Sequence, residues 1–215
     1  MLKLCVVAGA CAMTNVYAFS PFLKLDLGTG FSTYEIELNT NISSVEGASV
    51  NKLVGQPDHM SFSVGFAEQI DQGFFIGFMV GGSKNKGDAK ITTTFNCAQP
   101  NSATTTYSLP HTYKAGLIFG ANMAQNVEIY LIPQYMQARV ESVSVGAVRK
   151  VNQKGWGAEL GILSALTDSL SIGLSVAHNN LGDYVIKDIV NSNTVKVATE
   201  THGYTTLSVS TVLSF

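Results

Sequence analysis

Six titratable side chains of this chain stand on strand faces that otherwise carry mainly small residues. They are Lys24, Asp26, His59, Lys114, Glu128 and Glu159. A charge that leaves water is tolerated only when it is paired and hydrogen-bonded. We therefore expect opposite charges among the six to form ion pairs, for example Lys24 with Glu128. Such a set would act as a structural polar plug, and the alternative is a path for protons or ions.

The other residues whose side chains could take part in a reaction give weaker signals. His178 and Asn180 share one strand face, where a histidine and a serine could act as base and nucleophile, but an asparagine cannot form an acyl-enzyme. Cys97 is the one cysteine outside the N-terminal segment that contains Cys5 and Cys11, so it is interpreted as an unpaired loop cysteine. We therefore expect no enzymatic activity, no metal and no cofactor.

The six groups would be positioned by β-strands, because apolar residues alternate with small or polar ones in eight segments. These segments are residues 21–34, 59–67, 74–81, 113–121, 127–136, 155–166, 170–177 and 207–215. Pro133 lies within the fifth segment, where its missing N–H predicts a bulge. The connections alternate between short and long. This pattern predicts an all-β fold, an eight-stranded antiparallel up-and-down barrel whose Gly, Ala and Ser faces fill a narrow interior.

Both ends of the chain carry features of an exported membrane barrel. At the C-terminus, Leu207, Val209, Leu213 and Phe215 share one apolar face, whereas the last residues of a soluble domain are usually frayed and polar. At the N-terminus, Lys3 precedes an apolar stretch and a small-x-Ala site that ends at residue 18. This arrangement predicts a cleaved signal peptide over residues 1–18 and a barrel domain over residues 19–215. In the alternative, a lipoprotein signal, Cys11 would be acylated.

Composition restricts how this chain can cross a bilayer. Apolar residues make up 46% of the chain and charged residues 13%, so the chain is more hydrophobic than a typical soluble protein. The longest apolar run after the signal, residues 73–82, is too short for a spanning helix of roughly 20 residues. A closed sheet is the remaining solution. The formal charge of −2 becomes −3 without Lys3, which argues against nucleic acid as a partner.

Alternation alone cannot separate the inside of a barrel from the outside, so a soluble lipocalin-like barrel is the alternative fold. Glycine-rich faces with scattered single charges suit a cramped interior better than a solvated surface. Long connections at residues 39–58, 83–110, 138–152 and 179–203 would be extracellular. With this orientation, aromatic residues form two girdles, one at each membrane interface. Phe66, Phe74, Phe119 and Phe215 lie at the periplasmic rim, and Tyr34, Tyr113, Tyr135 and Trp156 lie at the outer one.

The long connections contain hairpin patterns of their own. Threonine-rich arms at residues 91–95 and 103–107 flank a Pro/Asn turn, and residues 184–187 and 194–198 flank a second polar turn. Protruding hairpins expose backbone edges to which a partner can add a strand. Solvated loops without a specific ligand are the alternative.

Taken together, residues 19–215 resemble the family of small outer-membrane β-barrel proteins that includes opacity-type proteins, OmpA-type barrel domains and bacterial surface antigens. The resemblance rests on the architecture, the export signal and the terminal Phe215 as an assembly signal, together with Leu213, Val209 and Leu207. It implies a location in the outer membrane, with membrane lipid and the barrel-assembly machinery as partners. It also implies adhesion, surface interaction or envelope integrity through the extracellular loops, toward a host-cell or other extracellular ligand.

The alternative function is a narrow channel or a transporter of hydrophobic solutes. Inward-pointing apolar residues favour it, and four are expected: Phe75, Met79, Ile118 and Ile132.

Overall fold

A computed structural model describes residues 20–40, 53–55, 58–71, 73–86, 88–95, 101–144, 147–190 and 194–215. The predicted signal peptide, residues 1–18, lies outside the described residues, as does Cys97. Among the described residues, no helix is long and apolar enough to cross a membrane.

The described residues form ten strands. They are β1 (Ser20–Thr40), β2 (Leu53–Gly55), β3 (Asp58–Asp71), β4 (Phe74–Lys86), β5 (Asp88–Phe95), β6 (Asn101–Ala124), β7 (Val127–Ser144), β8 (Ala147–Thr167), β9 (Leu170–Val190) and β10 (Thr194–Ser214). Eight long strands, all except β2 and β5, form an antiparallel ring. The short β2 pairs with β1, and β5 pairs with β6. The predicted eight-stranded up-and-down barrel is therefore confirmed.

The ring closes where the first strand meets the last. β1 and β10 pair without interruption from Phe22 opposite Ser214 to Thr40 opposite Lys196. The backbone N–H of Phe215 donates to the carbonyl of Pro21 at 3.0 Å, so the pairing continues to the final residue. Closure satisfies the backbone groups of both edge strands, as a sheet in lipid requires.

Alternation along each strand places the bulky apolar side chains on the outside of the barrel. Leu117, Leu174 and Leu207 are each more than half exposed, whereas the inward-facing Ser61, Ser63 and Ser210 are fully buried. A soluble barrel of the lipocalin type would show the opposite arrangement, so that alternative is wrong. An outward apolar belt on a closed antiparallel ring matches the lipid-facing surface of an outer-membrane barrel.

The aromatic girdles lie at opposite ends of this belt. Phe66, Phe74, Phe119 and Phe215 are exposed near the short turns, and Tyr113, Tyr135 and Trp156 are exposed toward the long hairpins. The side chain of Tyr34 lies outside the described residues. Short turns mark the periplasmic side, so the long hairpins extend outward from the cell. At the first turn, Gly73 adopts a φ of +139°, which favours glycine.

Two sequence-based expectations about local structure are wrong. The register between β7 and β8 is continuous through Pro133, which lies opposite Ala158, so there is no bulge. A missing N–H removes one ladder hydrogen bond but does not require an extra residue. The connection at residues 138–152, for which no hairpin was expected, is also strand in its described residues. Pairing continues to Ser144 opposite Ala147 and to Val190 opposite Thr194, because the Thr- and Val-rich arms favour extended backbone.

Candidate functional site

Four of the six predicted lumen charges meet at mid-barrel, and we call them the charge cluster: Lys24, Asp26, Lys114 and Glu159. The Nζ of Lys24 lies 2.6 Å from Asp26 Oδ1 and also contacts Glu159 Oε1. The Nζ of Lys114 lies 3.3 Å from Glu159 Oε2 and 3.8 Å from Asp26 Oδ2. All four side chains are at least nine-tenths buried. Two ammonium groups and two carboxylates neutralise each other, as a narrow lumen of low dielectric demands.

Hydroxyl groups complete the coordination of the carboxylates. Tyr130 donates a hydrogen bond to Glu159 Oε1 at 3.0 Å, and Ser210 donates to Asp26 Oδ1 at 2.7 Å. The hydroxyl of Ser175 lies 3.1 Å from that of Ser210. The small serines of the inner face therefore supply hydrogen bonds as well as space, and the cluster is held from β1, β6, β7, β8, β9 and β10.

The other two predicted lumen residues lie apart from the cluster. His59 is buried, and its Nδ1 lies 2.7 Å from Asn85 Oδ1. Glu128 is half-buried among the residues that line the periplasmic mouth. The expected ion pair between Lys24 and Glu128 is therefore wrong, because Lys24 pairs with Asp26 and Glu159. The stagger of the strands, which alternation does not reveal, decides which inward carboxylate reaches Lys24.

A cavity of about 430 Å³ with a mixed apolar and polar lining lies on the periplasmic side of the charge cluster. Its apolar wall includes Phe22, Met79, Ile118, Ile132 and Val212, with Phe75 partly buried against them. Acidic residues stand among its lining, namely Glu68, Glu128 and Asp168. On the extracellular side, the pocket that the cluster shares with Met136 and Tyr204 holds only about 10 Å³. The lumen is therefore occluded at the charge cluster.

A second apolar core occupies the extracellular half of the lumen. It contains Tyr107, Leu109, Met136, Ala138, Val140, Leu181 and Tyr204. The ring of Tyr107 lies 5.9 Å from that of His202, whose Nδ1 contacts Gln153 Oε1. His202 pairs across the sheet with Leu181, which lies opposite Gly155, one residue beyond Trp156. Burial in this extracellular core lowers the pKa of His202 to about 4.

Sequence reasoning placed only Met136 of this upper core on an inward strand face, because the other members lie in or next to segments that were expected to be long connections. The sequence signal that could have predicted this core is the two-residue spacing of apolar side chains, first at Tyr107 and Leu109 and then at Met136, Ala138 and Val140. These residues continue the inward face of β6 and β7 past the aromatic girdle.

The extracellular hairpins continue the barrel wall as paired backbone. β5 pairs with β6 from Asp88 opposite Ser108 to Phe95 opposite Asn101. β9 and β10 pair up to Val190 opposite Thr194. The two hairpins predicted from the threonine-rich and polar-turn segments are thus confirmed in their backbone.

His178 lies on the outer surface of the barrel and has a partner that the sequence did not reveal. Its Nδ1 lies 2.8 Å from the hydroxyl of Thr205 on β10. Asn180 is also exposed. Among the described residues, no cluster of His, Cys, Asp and Glu side chains has the arrangement of a metal site.

Comparisons with known proteins show that this chain is similar in structure to several solved proteins. No family model and no curated protein sequence matches the chain. The solved structure of Neisserial surface protein A is similar over 91% of this chain and 97% of that protein, at 14% identity and a TM-score of 0.48. Ail, the attachment invasion locus protein of Yersinia pestis, is similar over 87% and 98%, at 10% identity and a TM-score of 0.40. The outer-membrane protein AlkL is similar over 95% and 94%, at 13% identity and a TM-score of 0.41.

Proposed function

We propose that this chain is a surface-interaction protein of the outer membrane that binds an extracellular partner through its hairpins. The observation that carries the proposal is the edge of β5. Among the described residues, β5 is paired along one edge only, with β6. An unpaired edge presents a row of N–H and C=O groups to which an extended segment can add as a further strand.

The wall around this edge is incomplete in the part of the chain that is described. β3 begins at Asp58, so it ends below the level of β5, which lies beyond Lys86. On the far side, β2 covers β1 at Ser32 to Tyr34 only. The backbone of β1 continues to Thr40, paired with β10. Among the described residues, the upper parts of β1 and β5 are therefore not paired with each other, and β2 lies close to β5 without pairing with it.

The occluded lumen supports this proposal over open conduction. The charge cluster is buried and neutral, and little free space lies above it. Opening the lumen would require separating four ionic contacts in a region of low dielectric, which is costly.

A transporter of hydrophobic solutes is the second candidate, and the periplasmic cavity of about 430 Å³ favours it. That volume lies in the range of small-molecule sites, which are mostly apolar with a few polar groups. A solute from outside would still have to pass the upper core and the charge cluster, so transport requires a rearrangement of both.

We further propose that the chain has no enzymatic activity. The imidazole of His178 and the hydroxyl of Thr205 form a pair, but acyl transfer also needs a group that orients the histidine and donors that stabilise an oxyanion. The described partners of His178 supply neither.

Truncation of one hairpin tests the surface-interaction proposal. Residues 90–106 are replaced by Asn-Gly, which removes most of β5 and keeps the buried Tyr107 in place. The matched control replaces residues 142–149 of the β7–β8 hairpin by the same turn. Both variants should fold, as shown by different gel mobility of unboiled and boiled samples. Cells that display the β5–β6 variant should bind host cells or matrix proteins at least tenfold less than cells with the intact chain, while the control variant retains binding. Equal binding by all three proteins would contradict the proposal and leave envelope integrity as the better account.

A further inference from the structure

We propose that outward-facing cations on β4, β7 and β8 bind the phosphate groups of a phosphorylated glycolipid of the outer leaflet. The cation row consists of Lys84, Lys86, Arg139 and Lys154, all of them exposed, and the exposed His111 of β6 lies between Lys84 and Arg139. The inference concerns the outer wall of the barrel and is independent of the function proposed for the hairpins.

Strand register places Lys84 and Arg139 on either side of His111. Lys84 on β4 lies opposite His111 on β6, and His111 lies opposite Arg139 on β7. Directly opposed residues on one sheet face have Cβ atoms about 5 Å apart, so Lys84 and Arg139 lie about 10 Å apart on either side of His111. The long side chains of Lys84 and Arg139 can therefore reach one phosphorylated headgroup between them.

The row lies immediately beyond the outer aromatic girdle. His111 is two residues past Tyr113, and Lys154 is two residues past Trp156. Arg139 is four residues past Tyr135, whose ring packs edge-on against Trp156 at 5.1 Å. Two residues of strand span about 7 Å, and girdle aromatics sit at the headgroup level. The cations therefore lie at the height of lipid headgroups rather than of the hairpin tips.

Two carboxylates accompany the row and leave part of it free for an anion. Asp58 lies opposite Lys86, and Glu141 contacts Arg139 at 3.2 Å and Lys150 at 3.4 Å. Across the strands, Lys84 faces Met60 and His111, and Lys154 faces Gln137. The opposite wall differs. Residues 176–186 of β9 and 197–215 of β10 contain no Lys or Arg, and the lysines of these two strands, Lys187 and Lys196, lie further toward the hairpin tip.

The surface below the row identifies the ligand as an amphiphile. Phe78, Val80, Leu117 and Leu131 are exposed on the same strands and form the apolar belt. A molecule with phosphates at the height of the row and acyl chains along this belt would contact both surfaces. Lipid A, the phosphorylated glycolipid of the bacterial outer leaflet, has this chemistry. Lysines bind phosphate as point charges, and arginine binds it as a two-pronged donor.

Binding of lipid A to the full chain in detergent micelles tests the assignment. The affinity of diphosphorylated lipid A is measured for the intact chain and for the double variant Lys84→Gln, Arg139→Gln. We expect the double variant to bind roughly 25-fold more weakly, about fivefold for each cation at an anionic surface. Asp183→Asn, on β9 of the opposite wall, should leave the affinity unchanged, and Asp58→Asn should raise it. Gel mobility of unboiled samples verifies that each variant is folded.

The ligand itself is varied to separate the sources of the anion. Lipid A without phosphates should bind the intact chain as weakly as phosphorylated lipid A binds the double variant, and millimolar inorganic phosphate should not compete. The proposal is overturned if the double variant binds as tightly as the intact chain or if removal of the phosphates has no effect. It is likewise overturned if a sulfated oligosaccharide displaces lipid A in a manner that depends on Lys84 and Arg139, because the row would then serve a soluble polyanion.

Discussion

Lys114 Nζ lies 3.3 Å from Glu159 Oε2, and this ion pair joins β6 to β8 across the lumen. Asp26 on β1 contacts both lysines of the cluster, so each charge has two opposite neighbours. Neutralisation of this kind allows four ionised groups to occupy the middle of a membrane barrel.

Removal of one carboxylate should therefore destabilise the barrel. We expect Glu159→Ala to lower the free energy of unfolding by about 3–5 kcal/mol, because two buried ammonium groups are left with one carboxylate. Urea titration followed by gel mobility measures the change. Glu128→Ala, at the periplasmic mouth, is the matched control and should cost less than about 1 kcal/mol. A similar cost for both variants would refute the structural role of the cluster.

Occlusion of the lumen predicts the electrical behaviour of the protein. In planar bilayers the intact chain should show no sustained conductance of porin size, since the charge cluster and the upper core fill the passage. The combined variant Lys24→Ala, Glu159→Ala should show brief openings, because it removes the two side chains in closest ionic contact. A large and stable open state of the intact protein would place the transporter function first.

Protonation of His202 should make the extracellular half of the barrel sensitive to acid. An unfolded histidine has a pKa of about 6.5, and burial lowers the folded value to about 4. The unfolded state therefore binds more protons between these values, so stability is complete above pH 6.5 and is lost as the pH falls toward 4. The loss is about 3 kcal/mol at most. It is measured as the urea midpoint against pH.

Two histidine variants test whether His202 causes this pH dependence of stability. His202→Gln should reduce the slope of the profile between pH 6.5 and 4, and His178→Gln, on the exposed outer surface, is the matched control. A profile that remains steep without His202 would assign the acid sensitivity to other groups.

Packing of Tyr130 requires a glycine on the neighbouring strand. A Cβ at Gly161 would overlap the Tyr130 ring, and Tyr130 donates to Glu159. We expect Gly161→Ala to cost about 1–3 kcal/mol of unfolding free energy through overpacking. Gly82→Ala is the control, because its Cβ would meet its nearest atom, the carbonyl oxygen of Thr112, at 3.2 Å. Equal costs at the two positions would contradict the packing argument.

The terminal aromatic residue should act in assembly more than in stability. The Phe215 side chain is exposed, and its backbone N–H bonds to Pro21. Phe215→Ala keeps this backbone bond, so the purified barrel should retain its urea midpoint while the amount inserted in the outer membrane falls several-fold. Leu213→Ala serves as a comparison on the same face. Undiminished insertion of the Phe215 variant would remove the assembly role.

Sequence reasoning identified the inward face of the barrel but not its contacts. Lys24, Asp26, Lys114 and Glu159 were all expected in the lumen, yet Lys24 was paired with Glu128 instead of Glu159. Glu128 and Glu159 both point inward from adjacent strands, and alternation alone gives no measure of their height. The strand pairing at residues 138–152 was not predicted, whereas the arms of the β5–β6 and β9–β10 hairpins were predicted from their residue types.

The amino-acid sequence by itself determined the strand number, the lipid-facing side of each strand and the polarity of the barrel. These follow from local preferences, because side chains alternate with a period of two and each side chain selects lipid, lumen or water by its own chemistry. Only the tertiary structure decided which charges meet, where the lumen closes and that Lys84 and Arg139 lie on either side of His111. These features depend on the register between strands distant in sequence, and a shift of one residue in that register would change every contact across the barrel.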